Sequence, residues 1–304
     1  MPEVRCGISI SPQNLYSQLS ILPYIMSKLK LVLVTLVCTV ALSLPTETKP
    51  MPRVMSNATI SNSPVAIAQF AFGTWVENIA VRSNGKILVT MTTPPEIWEI
   101  DPSMPLKSNS SKLVHHFDGV EQATGIAEVG PDVFMVVGGN SIWRVNLNKN
   151  DTNRICEVVN VTESRLLNGM ATLDARTGTI LVVDSQLGLI WRVNTKTLDY
   201  EVVLQDDTMA PSDELGLPLG INGVRVWRNY VYYNNSPRRL LCRVRVDRAT
   251  GRAVSPYEVI SQGVLSDDFA VALDGTAYLA GLTDNVVTQV RLNSVQEVVA
   301  GNLN

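Results

Sequence analysis

The sequence predicts an all-β protein, a β-propeller built from four-stranded blades. Three observations carry this. Short apolar runs rich in Val, Ile and Leu, separated by turn residues, fill residues 64–304. A small polar pair followed by an apolar run returns five times, at spacings of 44 to 54 residues. No strongly amphipathic helical pattern follows residue 60. Short strands repeating with a period in the forties are the mark of propeller blades. A β-sandwich would leave unexplained why five polar residues keep one register.

The chain divides into four stretches. Residues 1–25 show no helix or strand period and read as a mis-assigned extension ahead of the true start. Residues 26–43 read as a secretory signal. Met26-Ser27-Lys28-Leu29-Lys30 is its basic part, Leu31 to Leu42 its apolar run, and Ala41-Leu42-Ser43 its cleavage region. The run is too short for a membrane span, which needs about 20 residues, so no stable membrane span is expected. Residues 44–63, rich in Pro, Thr and Ser, form a flexible lead-in. Residues 64–304 form the propeller. The expected destination is the secretory pathway, with the protein secreted or vacuolar. Sequons at Asn57, Asn109, Asn150, Asn160 and Asn234 are then candidate glycosylation sites.

Composition narrows the class. Of 304 residues, 45% are hydrophobic and 17% charged, too apolar for a disordered chain. A net charge of −3 gives no basic surface for nucleic acid. Cys6 and Cys38 leave with the signal. The remaining Cys156 and Cys242 fall in strands of different blades, and are expected as two buried, unbridged thiols.

Within the repeat, the first apolar residues of the five copies are Ile79, Ile126, Met170, Val224 and Phe269. A later strand repeats as Ile97-Trp98-Glu99-Ile100, Ile142-Trp143-Arg144-Val145 and Ile190-Trp191-Arg192-Val193, with looser copies at 241–247 and 286–292. Its tryptophans are expected between blades. Ser83-Asn84-Gly85-Lys86, Asp174 to Gly178 and Asp274-Gly275 supply hairpin turns. The innermost strand of a blade lines the central channel. The residue two before each anchor therefore recurs at one level of it. Those residues are Glu77, Thr124, Asn168, Asn222 and Asp267, all polar.

Such a ring of oxygen ligands suits Ca²⁺ or another hard divalent cation. Only two histidines are present, His115 and His116 on an expected outer strand, so a His-rich metal site is not expected. Trp75 lies just before the Glu77 strand and is placed at the channel mouth.

Glu77, Asn168-Gly169, Asn222-Gly223 and Asp267-Asp268 together resemble the six-bladed senescence-marker-protein/gluconolactonase propellers. That resemblance implies Glu77, Asn222 and Asp267 (or Asp268) as metal ligands and Asn168 on the substrate side. The phrases Trp75 to Arg82, Gly220 to Val224 and Ser266 to Phe269 resemble a secreted fungal branch that includes hetero-Diels–Alderases of tropolone–sesquiterpenoid biosynthesis. The branch implies small-molecule polyketide and terpene substrates: a tropolone quinone methide joined to a humulene-type alkene, with no cofactor required. Asn168, Asn222, Thr124 and Asp267 are then the candidate catalytic residues. Trp75, Glu77 and Asp268 are the candidate substrate contacts. Two alternatives stand beside it, a metal-dependent lactonase and a non-catalytic ligand-binding propeller. Five anchors end at Phe269, whereas the superfamily closes with six blades, so the sequence reads as one blade short at its C-terminus. A closed ring implies a monomer.

Overall fold

The computed structural model describes residues 66–106, 110–151 and 154–301. The signal, the lead-in, Asn57 and Asn109 lie outside these residues. Twenty strands form five four-stranded antiparallel sheets. Blade 1 holds β1 (Trp75–Val81), β2 (Ile87–Thr93), β3 (Glu96–Ile100) and β4 (Ser111–His116). Blade 2 holds β5 (Ala123–Gly130), β6 (Val133–Gly138), β7 (Ser141–Asn146) and β8 (Ile155–Asn160). Blade 3 holds β9 (Leu167–Asp174), β10 (Thr179–Asp184), β11 (Leu189–Asn194) and β12 (Tyr200–Gln205). Blade 4 holds β13 (Ile221–Trp227), β14 (Tyr230–Asn235), β15 (Leu240–Arg245) and β16 (Glu258–Gln262). Blade 5 holds β17 (Ser266–Val271), β18 (Ala277–Gly281), β19 (Val286–Val290) and β20 (Gln296–Gly301). Strands follow chain order in every sheet. The inner strands are neighbours in series, β1 beside β5, β5 beside β9, β9 beside β13 and β13 beside β17.

Local chemistry explains the meander. The expected hairpin turns place Gly85, Gly178 and Gly275 at φ of +82°, +72° and +89°, a region that an L side chain resists. Gly139 turns β6 into β7 at φ +59°.

The blades adhere through apolar faces. Leu88 and Ile97 of blade 1 pack on Phe134 and Val136 of blade 2. Met135 and Val137 meet Ile180 and Val182 of blade 3. Leu181 and Val183 meet Val231 and Tyr233 of blade 4. Tyr232 and Leu241 meet Phe269 and Leu279 of blade 5. Each such buried side chain contributes about 1.5–3 kcal/mol. The other face of blade 1 is covered differently. Val89, Met91 and Ile100 pack under Ile67, Ala68 and Phe70, a segment that precedes β1. Among the described residues, no apolar cluster joins blade 5 to blade 1.

Trp191 is buried in the core between blades 2 and 3, with Trp98 and Trp143 packed at the edges of theirs. Cys156 and Cys242 are buried in blades 2 and 4 and form no disulfide. His115 and His116 lie on the outer strand β4. No helix among the described residues is long and apolar enough to cross a membrane.

One sequon expectation is corrected. Asn234 is fully buried in β14. Its amide nitrogen donates to the carbonyls of Ser266 and Asp267 at 3.0 and 2.9 Å. A glycan on that nitrogen is incompatible with the fold. Asn150 and Asn160 are exposed.

Candidate functional site

The five polar residues sit at one level, and the backbone explains why they turn away from the sheet. In every inner strand the ladder to its neighbour slips at the polar pair. The pairing jumps across Glu77 in β1, Thr124-Gly125 in β5, Asn168-Gly169 in β9, Asn222-Gly223 in β13 and Asp267-Asp268 in β17. Five bulges at one register free these residues from cross-strand pairing. Bulges commonly re-aim side chains beside active sites.

The residue after each polar one then decides how closely the inner strands approach. It is glycine in β5, β9 and β13. A Cβ on Gly125 would collide with the Asn168 carbonyl, and one on Gly169 with the Asn222 carbonyl. A Cβ on Gly223 would strike the Asp268 carboxylate. At the two ends of the series the residues are Asn78 and Asp268. They hydrogen bond to each other, Asn78 Nδ2 donating to Asp268 Oδ2 at 2.8 Å. Arg225 of β13 donates to the same oxygen at 2.8 Å.

Three carboxylates gather where β1 and β17 meet. The Trp75 indole N–H donates to Glu77 Oε2 at 2.8 Å. Burial, reinforced by the charges of Asp267 and then Asp268, holds the Glu77 carboxyl well above its ordinary range. Burial and the Asp268 charge push Asp267 up to about 6, against the opposing hydrogen bond from Asn222. Neighbouring carboxylates in one low-dielectric site ionise together only at high cost, so both groups are pushed towards the protonated form.

The Thr124 hydroxyl and both amide hydrogens of Asn222 are committed inside the protein, as is one of the two on Asn168. Asn222 Nδ2 donates to Ser236 Oγ and to Asp267 Oδ1, both at 2.9 Å. Asn168 Nδ2 donates to Ser185 Oγ at 3.2 Å, while its enclosed Oδ1 has no protein partner. Thr124 is buried, and its hydroxyl donates to the Leu167 carbonyl at 3.1 Å. Of the three residues expected to donate to a substrate, Asn168 alone keeps an amide hydrogen, beyond its bond to Ser185. Thr124 is a strut between blades 2 and 3, and the two asparagines leave amide oxygens uncommitted.

The structure adds residues that the repeat alone did not single out. Asp184, fully buried at the end of β10, accepts backbone N–H bonds from Arg165, Leu166, Gln186 and Leu187 at 2.8 to 3.2 Å. Asn234 accepts from Gly223 N at 2.7 Å and so holds the β13 bulge. The signal was present: a polar residue closes the second apolar run of blades 3 and 4.

Glu77, Asn222 and Asp267 offer only oxygen ligands and an amide that can turn its oxygen inward. In kind this suits a hard cation. No three His, Cys, Asp or Glu among the described residues stand close enough to enclose an ion.

No family model matches the chain. It is 28% identical over 235 residues to asR5 of Sarocladium schorii, named as a proposed hetero-Diels-Alderase. That match covers 66% of this chain and 58% of the relative, so the chain spans less than two thirds of that protein. A second protein so named, from a Phoma species, is 28% identical over 287 residues, covering 82% of this chain and 78% of the relative. The resemblance read from the sequence holds. The chain also shares its fold with solved propellers. Regucalcin of Agrobacterium tumefaciens, described as calcium-binding, superposes with a TM-score of 0.55 at 14% identity, covering 75% of this chain and 74% of that one. The luciferin-regenerating enzyme gives 0.55 at 14%, covering 74% and 76%. A chain in a nidogen/laminin complex gives 0.56 at 13%, covering 73% and 79%. At such identities these likenesses show the fold alone.

Proposed function

We propose that the protein accelerates a hetero-Diels–Alder cycloaddition between a tropolone quinone methide and a humulene-type alkene. Its similarity to proteins named for that reaction supports the class. The observation that carries the chemistry is the pair of carboxyls, Glu77 and Asp267, both held above their ordinary range by burial and by neighbouring acidic charge. The quinone methide is a C=C–C=O heterodiene. Its terminal carbon and its oxygen each form one new σ bond to the alkene carbons, and no atom is lost. No general base or nucleophile is required. A hydrogen bond from the carboxyl to the heterodiene oxygen withdraws electron density and stabilises the negative charge that builds there. The proton is shared, not transferred. Holding both partners in one orientation supplies a further several kcal/mol.

The test incubates the full chain with a quinone methide precursor and humulenol. The expected result is faster product formation and a diastereomer ratio different from the uncatalysed one. A background rate and ratio would overturn the reading.

A second reading rests on the enclosed, unpartnered Asn168 Oδ1. Here Glu77, Asn222 and Asp267 hold a divalent cation, which would polarise a lactone carbonyl. Calcium titration by calorimetry tests it. Binding that is lost in Glu77→Gln favours this reading, and no binding at millimolar calcium removes it.

A further inference from the structure

The ring closes by two different physical means. Four junctions are sealed by apolar clusters, and β5, β9 and β13 approach their neighbours through Gly125, Gly169 and Gly223. At the fifth junction, between blades 5 and 1, the described residues provide no shared apolar cluster and no glycine at this level. They provide Asn78, 5% exposed, donating to Asp268 across 190 positions of sequence. Asp268 is fixed from behind. Its other oxygen accepts from the Phe269 N–H at 2.6 Å, and Arg225 of blade 4 reaches it at 2.8 Å. The Arg225 guanidinium also lies 5.8 Å from the Phe269 ring centroid. The series Arg225–Asp268–Asn78 thus ties three blades in one line.

Each end of this link is covalently adjacent to one of the two carboxylates, Glu77 and Asp267. Asn78 follows Glu77, and Asp268 follows Asp267. We infer that Arg225, Asp268 and Asn78 are a positioning latch, which closes the seam between blades 5 and 1 and so sets the distance between Glu77 and Asp267. For catalysis this rests on the cycloaddition reading; for geometry it does not. The latch touches no reacting atom. It acts by holding β1 against β17. A charge-assisted hydrogen bond, stronger than a neutral one, suits a junction with no apolar adhesive.

The test uses the full chain with spin labels on Lys112→Cys in β4 and Glu297→Cys in β20. Both positions are exposed, and the native Cys156 and Cys242 are buried. Asn78→Asp sets a carboxylate against Asp268. It is expected to broaden and lengthen the label distance and to shift the indole N–H resonance of Trp75, which reports on Glu77. Adding Asp268→Asn restores a donor opposite an acceptor, and should return both signals. The rate enhancement should fall at least tenfold in Asn78→Asp and recover in the double variant. An unchanged label distance in Asn78→Asp overturns the latch. A changed distance with an unmoved Trp75 resonance overturns the positioning role. If the unmutated chain gives only background product, the cycloaddition reading fails, while the distance and the resonance still decide the latch.

Discussion

At the scale of single residues, the chemistry lies in carboxylates that are costly to ionise. The folded protein holds Asp267 at about 6 against an ordinary 3.8. An unfolded chain releases that proton near pH 4, so across pH 4 to 6 the folded state binds more protons. Stability therefore falls as pH rises through this window, and the cost is complete above it. Asp267→Asn keeps an acceptor for Asn222 and removes the cost. It should stabilise the protein by about 1–3 kcal/mol at pH 7.5 and by much less at pH 4, read by thermal denaturation at both values. The same substitution should lower cycloaddition activity. In unsubstituted protein, activity should decline on the alkaline side as the Glu77 and Asp267 carboxyls ionise, measured as rate enhancement against pH. The residue types were legible in the sequence, because five polar positions kept one register. Their roles were not. Which of an asparagine's donors is free depends on Ser185 and Ser236, which lie 17 and 14 residues away in sequence.

At the scale of strands, the repeat read from the sequence becomes a row of bulges, and the glycines behind them become spacers. Gly169→Ala would force β9 away from β13, because the new methyl meets the Asn222 carbonyl and not a yielding side chain. Overpacking of this kind costs about 1–3 kcal/mol or more, and chemical denaturation should show it as a lowered midpoint. Asp184→Ala removes the acceptor for four backbone N–H groups at the turn from β10. At about 1.5–3 kcal/mol for a hydrogen bond to a charged group, the loss should exceed about 3 kcal/mol in the same measurement. The hairpin turns and the tryptophan strands were readable because they depend on local chemistry. The bulges were not, since a bulge is a relation between two strands.

At the scale of the whole molecule, four junctions are apolar and one is polar. Hydrogen exchange followed by mass spectrometry should therefore find β1 and β17 opening more often than β9 and β13, which are sealed on both sides. The number of blades present was legible from the spacing of the anchors, and the five four-stranded sheets agree with it. The unequal seam was not, because the Asn78–Asp268 contact joins residues from opposite ends of the fold. The buried amide of Asn234 carries a consequence of another order. Sugar transfer acts on a chain still emerging and unfolded, when Asn234-Asn235-Ser236 is open to it. A modified Asn234 could never enter β14, hold Gly223 in its bulge or meet the fifth blade. On the secretory route expected from residues 26–43, blade 4 would thus run a race. Only molecules that zip β13 to β14 before the transferase arrives would then mature, and a sugar on Asn234 would bar the rest from folding.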